Sequence, residues 1–186
     1  MRAIFVSDEF FSARARFGLV KMPVEYVVGA VRMLQANYIP GTPAQRETLL
    51  YSRAANMGQN IFNPPDVAGW DFNSGWISTA TMLERFNFAN SFITSRPNGT
   101  PVQGAYVTTA QLTSWTKANV KKTVGRFLEV LGPLEVDTPS IKELRRYLTM
   151  NDQGNSVDWV ISDANVDKKV RGLVHQILCL PAFNLN

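Results

Sequence analysis

The sequence predicts an all-α fold, an irregular multi-helix bundle with one long aromatic, proline- and glycine-rich loop between helices. Three observations predict it. Apolar residues recur at helical spacing in several separate stretches, and no stretch alternates convincingly as a strand does. The helix-like stretches also begin at Pro, Ser or Thr and end near Gly-Pro, where helices start and stop.

Residues 2–10 read like the middle of a helix running into a turn, which leads us to expect a fragment of a longer protein. Residues 23–36 open on Pro23, a favourable first-turn residue, and carry Val24, Val27, Val28, Val31 and Leu34 on one stripe. Residues 43–57 follow, with Leu49, Leu50, Ala54 and Met57 on the apolar side. After the aromatic loop, Ser78 or Thr81 can cap a helix through about Ile93, and Thr81 with Glu84 has the spacing of a capping box. Met82, Leu83, Phe86, Phe88, Ala89, Phe92 and Ile93 cover more than one side of that helix, which predicts a central position. Residues 96–105, rich in Pro and Gly, form a loop. Beyond it, Thr108 is the expected N-cap of a short helix through Trp115, and a helix over 119–131 stops at Gly132-Pro133. Thr138-Pro139-Ser140 starts another, with Ser140 and Glu143 spaced as a second capping box. The last helix, about 164–180, places Val166, Val170, Leu173, Val174, Ile177 and Leu178 on its buried side.

At 186 residues the chain suits one helical domain, 1–186, divided into residues 1–95, the loop 96–105 and a second helical part, 106–186. The net charge is +4, yet no basic run exceeds two residues and the pairs are interleaved with acids. A nucleic-acid face concentrates its basic charge, so nucleic acid is not an expected partner. The apolar runs are too short to span a bilayer, and residues 1–30 lack the features of a signal peptide. A single cysteine excludes an internal disulfide and leaves the compartment open.

The densest signal is Met57-Gly58-Gln59-Asn60-Ile61-Phe62-Asn63-Pro64-Pro65-Asp66-Val67-Ala68-Gly69-Trp70-Asp71-Phe72-Asn73-Ser74-Gly75-Trp76. Pro64-Pro65 fixes backbone direction and the glycines permit turns closed to other residues. Asp66, Trp70, Asp71, Phe72 and Trp76 are the candidate ligand- or partner-binding residues, with the rings as a platform for a sugar or a protein. The competing view is that the rings staple the loop to its flanking helices, and it is the stronger of the two. The Asp71, Asn73 and Gly75 spacing lacks the remaining ligands of a calcium loop, so no metal is predicted.

Lys21, Glu25 and Arg32 read as a structural ion pair, with Glu25 favoured by the helix dipole. His175, the only histidine, lies beside Lys168 and Arg171, whose charges are expected to depress its pKa. Cys179 stands one turn later, but a nucleophilic pair also needs an orienting group and an anion hole. No Gly-x-Ser-x-Gly elbow or phosphate-binding glycine loop is present. No catalytic residue and no cofactor are predicted.

The motif just quoted, with Lys21-Met22-Pro23-Val24-Glu25 before it, Trp76 to Arg85 after it and the closing Val174 to Phe183, resembles a bacterial family known as domain of unknown function 1800. The resemblance covers about residues 1–95 and the last fifteen or so, and leaves 96–160 unmatched. It implies an exported parent protein and a protein partner, either a missing N-terminal segment or a second exported protein. The resulting expectation is a non-catalytic interaction or scaffold module in a larger exported protein or assembly. The alternative is a carbohydrate-binding or hydrolytic protein with its site in the Asp66–Trp76 loop.

Overall fold

A computed structural model describes residues 2–12, 15–38, 43–96 and 104–186, apart from the side chains of 43–48. Most of the expected 96–105 loop therefore lies outside the described residues. In chain order the helices are α1 (Arg2–Phe5), α2 (Pro23–Met33), α3 (Pro43–Asn56), α4 (Thr79–Thr94), α5 (Thr109–Trp115), α6 (Val120–Val130), α7 (Thr138–Leu148), α8 (Asp163–Asn165) and α9 (Arg171–Cys179). Single 3-10 turns cover Asn73–Trp76 and Pro181–Asn184, and a π turn over Val166–Val170 joins α8 to α9. The fold is all-α, as the periodicity predicts. Among the described residues no helix is long and apolar enough to cross a membrane.

Besides isolated bridges, the strand structure among the described residues is a two-stranded antiparallel ladder, β1 (Asn37–Tyr38) with β2 (Ala105–Tyr106), pairing Asn37 with Tyr106 and Tyr38 with Ala105. Two residues per strand are too few for period-two alternation to register in the sequence.

Local chemistry explains most helix starts. Ser78 accepts from the Thr81 N–H at 3.2 Å while Thr81 Oγ1 accepts from the Ser78 N–H at 2.8 Å. Thr108 and Gln111 repeat this reciprocal arrangement at the start of α5. Asn119 caps α6 through the Lys121 N–H at 2.8 Å, and Asp137 caps α7 through the Ser140 N–H at 3.3 Å. Ser78, one of the two expected caps of α4, takes the cap, and the box expected at Thr81/Glu84 forms three residues earlier, at Ser78/Thr81. At α7 the upstream Asp137, in extended backbone, takes the cap and the expected Ser140 lies inside the helix.

α4 packs along α9, α2 along α3, and α6 along α7. The core cluster runs from Tyr26 to Phe183 through Phe88, Phe92, Phe127, Leu173, Val174 and Ile177. Phe88 and Phe92 stack at 5.5 Å, and Tyr26 meets Phe88 and Phe183 edge-on at 6.0 and 5.4 Å. Gly172 lets Tyr147 of α7 pack directly on α9: a Cβ there would sit 1.9 Å from the Tyr147 hydroxyl.

Two buried arginines fasten the core. Arg85 of α4 is 0% exposed. It donates to the Lys21 carbonyl at 2.7 Å and to Asn184 Oδ1 at 3.1 Å, and lies over the Tyr26 ring at 5.0 Å. Its Nε has no partner. Arg171 donates to the carbonyls of Ile93 and Val107 at 2.8 and 2.9 Å and pairs with Asp167 at 2.8 Å. Burial works against the Asp167 carboxylate, but hydrogen bonds from Thr109 and Arg171 still hold its pKa below the usual range.

Arg85→Ala strands the Lys21 carbonyl and the Asn184 amide oxygen and opens a cavity, so it should cost about 3–5 kcal/mol in denaturant unfolding. Arg85→Lys should recover little of that, because an ammonium lacks the planar fork that reaches both acceptors. Full recovery by lysine would show that the charge alone matters.

Candidate functional site

The loop joining α3 to α4 begins with residues that serve the fold. Gly58 turns the chain with φ of +99°. The next side chain, Gln59, is buried, and its Oε1 accepts from the Val24 N–H at 2.9 Å, filling an open donor in the first turn of α2. Tyr51 of α3 bonds Asn60. At the far end, Asn73 Oδ1 accepts from the Val20 N–H at 2.9 Å. Val20 in turn bridges Leu185, which ties the loop to the C-terminal segment.

Between these anchors the five candidate residues separate. Trp76 is 4% exposed, and its carbonyl accepts from Thr81 Oγ1 at 3.0 Å; it is a core residue. Asp66 accepts from the Ala68 N–H at 2.7 Å, closing a turn that ends at Gly69 with φ of +96°. Asp71 stands across the next turn from Gly75, where a Cβ would come within 2.7 Å of the Asp71 Cβ. Trp70 and Phe72, in contrast, are 36% and 76% exposed. Stapling therefore describes Trp76 and not the other rings. Burial sets Trp76 apart from the other four, which are exposed.

The loop also holds a residue that sequence reasoning missed. Phe62 is 96% exposed and has φ of +65°, in the left-handed region that bulky residues avoid. Ile61-Phe62 looks like core in the sequence, and nothing local announces a left-handed phenylalanine. Val67 is likewise fully exposed.

The expected ion pair among Lys21, Glu25 and Arg32 does not form. Glu25 Oε2 accepts instead from the Met22 N–H at 2.8 Å and from Asn186 Nδ2 at 2.9 Å. Lys21 turns inward, its ammonium 2.6 Å from the Phe183 carbonyl and 4.3 Å from the Phe183 ring centre. Arg32 is exposed. Helix capping claims the carboxylate, and the C-terminal segment claims the lysine. Burial lowers the Lys21 pKa to about 8; nearby Glu25 opposes the shift and Arg85 adds to it.

His175 and Cys179 do meet, with Nε2 3.4 Å from Sγ. The His175 pKa is depressed by burial, partly offset by a hydrogen bond to the Phe86 backbone. The cations expected to do this are engaged elsewhere, Arg171 with Asp167 and Lys168 with Asp152. Burial pushes the Cys179 thiol up to about 11. A neutral imidazole beside a protonated thiol is a hydrogen-bonded pair, not a nucleophile and its base. In the cleft between α7 and α9, Arg146 pairs with Glu143 and Lys169 donates to the Met150 carbonyl. Among the described residues no group of three or more His, Cys, Asp or Glu side chains is placed to hold a metal ion.

Trp76→Ala should cost about 3–5 kcal/mol as a core deletion, whereas Phe72→Ala should stay within about 0.5 kcal/mol; thermal unfolding of both variants checks the division. Lys21 sets a pH dependence. Above about pH 8 the folded lysine has released a proton that the unfolded one holds up to 10.5, so stability rises with pH across that window. Relative to Lys21→Met, the wild type should gain about 2 kcal/mol between about pH 7.5 and about pH 10 in chemical denaturation. An unchanged difference would contradict the depressed pKa.

A family model described as "Protein of unknown function (DUF1800)" matches residues 1–185, including the 96–160 stretch in which the sequence motifs show no likeness. No curated protein matches the chain, and no solved structure does. The central helices, the loop motif and the C-terminal segment all fall within one family match, and the chain belongs to the DUF1800 family, whose function is unknown.

Proposed function

We propose that the chain is a non-catalytic helical interaction module that presents the α3–α4 loop to a protein partner within a larger exported protein or assembly. One observation carries this reading. The loop is fastened at both ends by buried or paired side chains, yet it holds Phe62, Val67 and Phe72 in solvent. Leaving a large apolar side chain in water forgoes roughly 1.5–3 kcal/mol each, and clustered exposed apolar residues mark interaction surfaces. The N-terminal segment adds Ile4, Phe5, Val6, Phe10 and Phe11, also exposed. Gln59, Asp66 and Asn73 are committed to backbone N–H groups and Asn60 to Tyr51, which favours binding over chemistry. The exported setting rests on the family resemblance.

A second reading is supported by Trp70 and Phe72, exposed on either side of Asp71. That arrangement suits a sugar ring stacked on an aromatic face with a carboxylate on its hydroxyls.

Tagged protein captured from its native cells should bring down a partner in near-equal amount. The Val67→Ser/Phe72→Ser double variant should lose that partner while melting within a few degrees of wild type. Retention of the partner by the double variant would remove the loop from the interaction. Absence of a partner, together with glycan binding abolished by Trp70→Ala, would establish the second reading.

A further inference from the structure

We propose that Met22 is an oxidation site, at which a hydroperoxide converts the thioether to a sulfoxide and the side-chain amide of Gln59 receives the new oxygen. An unequal hydrogen bond points to it. Gln59 is buried, and its Oε1 is taken by the Val24 N–H at 2.9 Å. That contact fixes the amide's orientation and turns Nε2 toward Met22, whose Sδ lies 3.8 Å away. Among the described residues this sulfur is the acceptor that Nε2 reaches. A thioether accepts weakly, and a buried donor without a good partner is costly.

An oxygen on the sulfur supplies that partner. N–H···O bonds span about 2.7–3.2 Å, so the longer gap between Nε2 and Sδ leaves room for an oxygen carried on the sulfur. Met22 itself is held: it is the N-cap residue of α2, in extended backbone, and its N–H donates to Glu25 at 2.8 Å. Sulfoxides disrupt cores because they are polar, but Met22 stands outside the core cluster. Gln59 is the near anchor of the α3–α4 loop, so the modification tightens that anchor and leaves the fold intact.

Access decides which sulfur reacts. Met22 is 37% exposed, whereas Met57 is buried and Met33, Met82 and Met150 are half-buried. Cys179 is half-buried and its thiol is held protonated, which removes the thiolate that peroxides attack. In the reaction a sulfur lone pair attacks the hydroxyl oxygen of the hydroperoxide. The S–O bond forms as the O–O bond breaks, and the hydroxyl proton goes to the departing oxygen. Sulfur is oxidised by two electrons, and the peroxide is reduced to water or an alcohol.

Peptide mass mapping of the full chain during hydrogen peroxide treatment tests the site. Met22 should gain one oxygen at least about three times faster than Met33, Met57, Met82 or Met150. The singly oxidised protein should melt no more than about 2 °C below the reduced form. The side-chain amide resonances of Gln59 should move on oxidation and return after treatment with a methionine sulfoxide reductase. Gln59→Glu replaces the donor with an acceptor, so at neutral pH this variant should melt lower once oxidised than in its own reduced form. Should that variant fail to fold, the amide resonances of the wild type decide. Oxidation of Met22 no faster than that of the half-buried methionines overturns the proposal. So does a Met22 sulfoxide that leaves the Gln59 amide resonances in place or melts several degrees below the reduced protein.

Discussion

The buried guanidinium of Arg85 is the constraint around which the rest is arranged. Among the described residues it has no carboxylate partner. Two hydrogen bonds, to the Lys21 carbonyl and to Asn184, and the face of Tyr26 take the place of one. A charge withdrawn from water in this way is tolerable only if its acceptors are held in place. They are: Lys21 donates from its backbone to Asn184 and from its side chain to Phe183, while Asn186 closes back onto Leu19. Segments at opposite ends of the chain thus meet on the central helix, and the aromatic core forms around the junction. Arg171 does the same at the other end of α4, reaching the Ile93 carbonyl and crossing to Val107 behind β2.

The helices were legible in the sequence because their signals are local. Pro23, Thr108 and Asn119 stand at or beside the starts of α2, α5 and α6, and Gly132, with φ of +106°, follows the end of α6. The arginines were not legible. Arg85 sits among apolar residues at a position any periodic count assigns to a helix face, and its acceptors are 64 and 99 residues away. The π turn at Val166–Val170 was equally silent, since a single wide turn leaves the apolar spacing of the final helix almost intact. At α4 the sequence left Ser78 and Thr81 open as caps, and at α7 it passed over Asp137, because only backbone conformation chooses among Ser, Thr and Asp residues within one turn.

The loop shows why a dense motif says more about architecture than about chemistry. Gly58, Gln59, Asn73 and Gly75 each answer a specific demand of the backbone: a positive φ, an open helix donor, an unpaired N–H and a close approach. Trp76 belongs to the core. What remains once these are accounted for is a set of exposed apolar side chains, and sequence alone could not separate them from the buried ones. Tryptophan and phenylalanine look alike on either side of a surface. Only the fixed ends of the loop decide which rings turn inward.

The pairing of His175 with Cys179 has a consequence beyond the absence of a nucleophile. The chain's one thiol is half-buried, hydrogen-bonded and protonated throughout the physiological range. Thiol oxidation and mixed-disulfide exchange both proceed through the thiolate, the form that burial disfavours here. The ties described across the core are hydrogen bonds, aromatic contacts and the Arg171–Asp167 ion pair, and none of them involves the thiol. With one cysteine in the chain, no internal disulfide can form, so the ties of the fold do not change with the thiol–disulfide poise around it.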